Sequence, residues 1–343
     1  MSDFRIDKIT NRDGSAGTQI AGITTFSGTS GMQIPSGSTE HRGGRGRGVF
    51  AGGSVDGGGV INTCEKIEIA TTGNAADFGD LSATRSFFDG CSSSTRGLVG
   101  GGGEPSVVST IEYFTVSSEG GANDFGDLTV ARRYLGSANS STRGLWMNSW
   151  GPKSNVIDYV TIATTGTASD FGDMTGKKQV DAGTSSPTRA VVAGGEGMKG
   201  NPAGNPAAPW AENIIEYVTI ATLGNGRDFG DLSYSAWGVG AMGNSTRAVF
   251  FGGNPGPHNI IEYITIATLG NASNFGDLVA ATGYPNGLSD KTRGVVGGGT
   301  SPNATNVLQY VTISTTGDTT DFGDLNTAKA RGATFSDSNG GLG

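Results

Sequence analysis

Six near-copies of one tetrapeptide, Asp-Phe-Gly-Asp, carry the regularly spaced carboxylates of this 343-residue chain. They stand at 77–80, 124–127, 170–173, 228–231, 274–277 (with Asn274 first) and 321–324. Paired carboxylates can hold a divalent cation or divide the acid and base roles of a hydrolysis, and Asp-Phe-Gly is the magnesium-holding triplet of one class of phosphoryl-transfer enzyme. Six occurrences, with neither a Gly-rich loop followed by a strand lysine nor a His-Arg-Asp, exclude that enzyme class. An arginine follows each of the first five Phe residues by 18 positions: Arg96, Arg143, Arg189, Arg247 and Arg293. A ring of such guanidiniums would suit an anion. Each arrives with its own acidic pair, however, so a ladder of ion pairs between repeats is the expectation. A paired-carboxylate glycosidase site stays open, because separation in space is not visible in a sequence.

The remaining reactive side chains are few. Two cysteines, Cys64 and Cys91, make neither a disulfide framework nor a four-ligand zinc site. The two histidines, His41 and His258, lie in different loop contexts. No catalytic residue, cofactor or metal ligand is therefore expected. A net charge of −8 argues against a surface that tracks nucleic-acid phosphates, although the run His41–Arg47 is basic. No run of 18 apolar residues exists for membrane insertion, and Met1–Arg5 opens no signal-peptide core. Assembly in a cytoplasm is the expectation.

The elements that carry these residues follow from period and composition. With 61 Gly and 11 Pro, helical bundles, coiled coils and helical solenoids are excluded, and the glycines lack a collagen period. The tetrapeptides are spaced 47, 46, 58, 46 and 47 residues apart, which marks a repeat architecture. Within each repeat the apolar period is two. Val or Ile and Phe sit at positions such as Phe114/Val116 and Val160/Ile162, with Tyr113, Tyr159, Tyr217, Tyr263 and Tyr310 on the other face. A second run ends in glycines, as in Val191–Gly195, and a third, small-residue segment, as in Ala131–Gly136, precedes it. Four short strands per repeat make a radial sheet, with the small residues at the crowded axis. Phe78, Phe125, Phe171, Phe229, Phe275 and Phe322 anchor the cores of these sheets, and the tetrapeptide Gly permits a turn.

The glycine pair after the second strand and the period resemble the kelch repeat over residues 47–343. That likeness implies an all-β, six-bladed β-propeller. Two departures stand out: Phe of Asp-Phe-Gly-Asp replaces the kelch Trp, and Leu145–Trp150 stands where Gly-Gly is expected. The chain enters in a second strand at Arg47 and ends in a first-strand segment, Ala328–Thr334. The C-terminal strand is therefore expected to close the first blade. Copper-radical oxidases of this type need a Tyr–Cys pair with two histidines, and sialidases need Asp-box repeats. Neither pattern is present.

Two deviations interrupt the regularity. Repeat four carries an insertion after its Gly-Gly, in which Met198, Lys199 and Trp210 are candidate partner contacts. Repeat one puts Cys64, Lys66 and Glu68 on the Tyr–Thr face, which predicts a looser seam or a surface covered by another chain.

Residues 1–46 precede the array as an extended Gly/Ser/Thr-rich segment with too few apolar side chains for a core. Asp7–Gly14 and Ile34–Thr39 resemble the opening elements of virion appendage proteins of marine, cyanophage-type tailed phages. The resemblance implies a tail, neck or baseplate structural protein, located in the virion and assembled in the host cytoplasm. In it Phe4, Ile6, Ile9, Ile23, Phe26 and Ile34 would dock on other virion proteins. The propeller would serve adhesion, with a host surface glycan as candidate ligand, or decoration. A capsid-decorating protein and a glycan-acting propeller enzyme are the alternatives, and a homo-oligomer on the particle stays open.

Overall fold

A computed structural model describes residues 46–103, 106–149, 154–179, 182–197 and 211–338. The docking candidates between Phe4 and Ile34 and the contact candidates Met198, Lys199 and Trp210 lie outside them. The described residues form six small antiparallel sheets. Blade one runs outward as Ala333–Ser336, Arg47–Ser54, Val60–Glu68 and Ala76–Asp80. Blade two is Asp89–Ser92, Arg96–Gly100, Thr110–Thr115 and Asn123–Asp127. Blade three is Gly136–Asn139, Arg143–Ser149, Ser154–Thr161 and Ser169–Gln179, with the short strand Glu196–Gly197 added at its edge. Blade four is Ala182–Ser185, Arg189–Ala193, Glu212–Thr219 and Arg227–Ala236. Blade five is Gly240–Gly243, Arg247–Phe251, His258–Thr265 and Ser273–Thr282. Blade six is Asn286–Ser289, Arg293–Gly297, Val307–Thr312 and Thr320–Asp324.

The six innermost strands contact one another in a closed circle, which makes the molecule a six-bladed β-propeller. As expected, the C-terminal strand completes blade one: Phe335 pairs with Val49 and Thr334 with Phe50. The innermost strands start later than the small-residue segment suggested. In repeat three Ala131–Leu135 is a connection, and the strand is Gly136–Asn139. The innermost strands are rich in small residues because each strand touches the next. Ser92, Asn139, Ser185, Ser289 and Ser336 each donate a side-chain hydrogen bond to the carbonyl of the preceding blade's innermost strand, at 2.6–3.0 Å. Together these bonds tie the chain's last strand to its neighbours on both sides.

Core packing follows the repeat. The six tetrapeptide Phe side chains are buried. Five of them meet a Tyr edge-on, as Phe171 meets Tyr159 at 5.9 Å. In blade one Phe78 meets Phe114 and Phe335 instead. The tetrapeptide Gly does not make a turn; it lies inside a strand where the next blade's backbone presses on it. Gly172 has φ 145°, and a Cβ there would sit 2.6 Å from the Gly224 carbonyl oxygen. In repeat three Asn148 adopts φ 60°, matching Gly101 and Gly252 at equivalent positions, so the missing Gly is replaced by a residue that tolerates this conformation.

The repeated arginines do not form the expected ladder of ion pairs. Arg96, Arg143, Arg189, Arg247 and Arg293 lie over Tyr113, Tyr159, Tyr217, Tyr263 and Tyr310 at 4.4–4.6 Å. Each donates to a backbone carbonyl of the next blade, as Arg189 does to Ile266 at 2.6 Å. A carbonyl at the end of a strand is an unsatisfied acceptor, and the guanidinium fork fills it while stacking on the ring. At the sixth equivalent position, Arg47, Lys66 replaces the Tyr. There Arg47, Lys66, Glu68 and Glu119 form an ion-pair cluster between blades one and two. That seam is closed by charge rather than loosened.

Candidate functional site

Residues from all six blades converge on the axial channel. Its position is set by a clamp that recurs at fixed offsets from each tetrapeptide Phe. A residue 13 positions before the Phe, on the third strand, is Glu65, Glu112, Asp158, Glu216, Glu262 or Gln309. Each accepts the backbone N–H four positions after the previous Phe: Ser82 to Glu112, Thr129 to Asp158, Thr175 to Glu216, Ser233 to Glu262, Val279 to Gln309 and Asn326 to Glu65, at 2.6–3.2 Å. Seven positions after the Phe a buried cation joins the same acid: Arg85 with Glu112, Arg132 with Asp158, Lys178 with Glu216 and Lys329 with Glu65. Burial pulls the Arg85 guanidinium and the Lys329 ammonium below their ordinary values, against the pull of Glu112 and Glu65. Blade six holds a neutral version, Thr282 and Gln309. In blade five the seventh residue after Phe229 is Ala236, without a charge, and Tyr234, five after the Phe, donates its hydroxyl to the Gly252 carbonyl at 2.9 Å.

The clamp grips the connection from one outermost strand to the next innermost strand, and two residues beyond the cation position that connection reaches the axis. The residues there, nine after each Phe, are Phe87, Tyr134, Gly238, Tyr284 and Arg331; the sixth, Val180, is outside the described residues. All five have left-handed φ between 52° and 62°. The conformation turns the N–H toward the preceding blade: Phe87 donates to the Arg331 carbonyl at 2.7 Å, Tyr134 to Phe87 at 2.8 Å and Tyr284 to Gly238 at 2.9 Å. Glycine adopts it freely, whereas a side chain costs about 1 kcal/mol. Four of the five positions nevertheless carry large side chains. These backbone outliers mark the axial end as a candidate site.

The large side chains gather over the channel. Phe87 packs on Tyr134 at 3.9 Å and meets Tyr284 edge-on at 6.4 Å. The Arg331 guanidinium lies 5.0 Å from the Phe87 centroid and 4.8 Å from that of Tyr284. Arg133 sits 5.3 Å from the Tyr134 centroid and 5.9 Å from that of Phe87. The Nε atoms of Arg133 and Arg331 are buried without a hydrogen-bond partner, and among the described residues neither arginine has a carboxylate within ion-pair distance. Gly238 has no side chain because the Tyr284 ring fills its space, 2.6 Å from where a Cβ would stand. The Trp237 indole N–H donates to the Tyr284 hydroxyl at 3.2 Å.

Below this rim is a cavity of about 160 Å³, walled by the innermost strands. That is room for one six-membered ring. The half-buried Asp89 stands in its wall, accepting the N–H groups of Gly90 at 2.8 Å and Ser137 at 2.7 Å. Burial raises its carboxyl to about 6, against the lowering effect of those bonds. Cys64 and Cys91 are buried free thiols pushed up by burial, Cys64 to about 12, so neither is poised as a nucleophile. His258 packs against Tyr234 at 4.9 Å.

Neither the clamp nor the rim entered the sequence reading, although both leave a signal. An acid recurs beside Tyr in Ile-Glu-Tyr and Ile-Asp-Tyr, and aromatic or basic residues recur nine after the Phe. The tetrapeptide carboxylates drew attention first, yet Asp77, Asp124, Asp170 and Asp228 are exposed. No protein-family model matches the chain, and no curated protein matches it.

Proposed function

We propose that this chain is a non-enzymatic structural protein of a tailed-phage virion, a tail, neck or baseplate appendage with kelch-like repeats. In this reading residues 1–46 dock on other virion proteins, and the propeller is the part that meets the environment. The assignment to a virion is supported by the likeness of residues 7–14 and 34–39 to appendage openings. A binding rather than catalytic propeller is supported by the chemistry of the axial rim. Phe87, Tyr134, Tyr284 and Arg331 are recognition groups held on a rigid ring. The buried carboxylates Glu65, Glu112, Asp158 and Glu216, by contrast, are each held by a cation and a backbone N–H as parts of the repeat.

The docking role is tested by copy number. Particles assembled with the full chain should carry it on the tail, neck or baseplate, and particles assembled with a chain lacking residues 1–46 should not. The ring itself closes entirely with strands that follow residue 46, so the shortened protein should fold. Normal incorporation of the shortened chain would overturn the docking assignment. A head location would favour a capsid-decorating role. Glycan turnover abolished by changing a single Asp or Glu outside the repeat would favour the enzyme.

A further inference from the structure

From the axial rim we infer a binding site for an acidic sugar, with the ligand carboxylate held by Arg331 and Arg133 and its ring seated over the channel. The inference rests on the adhesion part of the proposed function, for which it names the ligand class. Three observations meet here. The first is the left-handed backbone of Phe87, Tyr134, Tyr284 and Arg331. The hydrogen bonds between blades require that backbone but not the side chains, as Gly238 demonstrates in blade five. The second is the pair of guanidiniums at one rim, each with a buried Nε–H that has no acceptor among the described residues. A planar guanidinium with a free edge matches a carboxylate, and an unpaired buried donor is a group that such an anion satisfies. The third is the cavity beneath, sized for one ring and lined by polar groups of Asp89, Ser137 and Asn139 together with apolar Met242 and Leu288.

The charge distribution orients the ligand. Asp89 stands in the channel wall and repels an anion, while both arginines are at the rim. The carboxylate therefore stays outermost and the sugar hydroxyls point inward, where Asp89 accepts from them. A neutral sugar loses the arginine contacts, and a bare phosphate loses the contacts with the rings and the channel wall.

Calorimetric titration of the full chain with D-glucuronate, D-glucose and inorganic phosphate tests this. Glucuronate should bind saturably, with glucose and phosphate each weaker by at least about tenfold. Arg331→Gln should lose about tenfold in glucuronate affinity while still folding into a chain that melts cooperatively. Arg133→Gln provides a second variant should the first fold poorly, and Trp237 fluorescence, reporting through Tyr284, a second readout. Absence of saturable glucuronate binding overturns the inference. Phosphate binding as tight as glucuronate, or wild-type affinity in both folded variants, does so too. The measurement uses free protein, so its failure leaves the docking reading standing, and normal incorporation without residues 1–46 leaves the sugar site standing.

Discussion

The Arg331 carbonyl accepts the N–H of Phe87 at 2.7 Å while the Arg331 guanidinium stacks 5.0 Å from the Phe87 ring. One residue near the chain's end thus joins blade one to blade two by both backbone and side chain. Asp337 adds to the same closure, its carboxylate accepting the Arg47 N–H at 2.8 Å. Deleting residues 326–343 removes these contacts, the buried Phe335 and Lys329, and the innermost strand of blade one. The expected outcome is loss of cooperative unfolding and of solubility, read by circular dichroism and sedimentation. A truncated chain that melts like the full one would contradict closure by the C-terminal strand.

Gly172 and Gly176 share one outermost strand but not one environment. A Cβ at Gly172 meets the Gly224 carbonyl at 2.6 Å in a backbone with φ 145°, whereas at Gly176 nothing lies within 4 Å. Gly172→Ala should destabilise by about 2–3 kcal/mol through overpacking and strain. Gly176→Ala should change stability by less than about 0.5 kcal/mol. Equal denaturant midpoints for the two variants would refute the close approach between blades.

The clamp between Arg85 and Glu112 is buried at both ends. Removing one partner leaves a buried charge, so Arg85→Thr should cost about 3–5 kcal/mol. Blade six shows that the same position works with Thr282 and Gln309, both neutral, where Gln309 still accepts the Val279 N–H at 2.9 Å. The double variant Arg85→Thr/Glu112→Gln should therefore recover much of the loss. A double-mutant cycle in urea reads this directly, and strict additivity of the two substitutions would rule out the coupling.

Asp89 supplies a pH test. Its carboxyl is raised by burial to about 6 from an ordinary value of 3.8. The folded state thus holds the proton more tightly than the unfolded chain between these values. The stability this contributes is full below about pH 4 and is lost as pH rises through about 6. Asp89→Asn should remove that slope, so the Tm difference between wild type and variant should change across pH 4–6.5 and stay flat above. A pH-independent difference would place the titration elsewhere.

Repeat number, strand period and the entry of the chain in a second strand were legible in the sequence. Those features depend on local pattern: alternation within a strand, glycine at positions where backbones approach, and one aromatic anchor per repeat. The six Phe anchors and the closing strand followed from them. The roles of the polar repeat residues were not legible. Adjacency of Arg96, Arg143, Arg189, Arg247 and Arg293 to acidic pairs suggested ion pairs, but strand twist brings each arginine over a Tyr and against the next blade's carbonyl instead. Glu112 and Arg85 stand 27 residues apart and meet only because the connection between blades folds back over the third strand.

The axial rim is the extreme case. Phe87, Tyr134, Gly238, Tyr284 and Arg331 share an offset in the chain, yet nothing local marks them as neighbours. These residues converge because six blades radiate from one axis and the left-handed backbone turns each residue toward it. By itself the sequence determined the repeat and its closure, since both arise from periodicity that local chemistry imposes. Only the tertiary structure decided which residues share the channel mouth, because that depends on rotation about an axis, a property no single repeat contains.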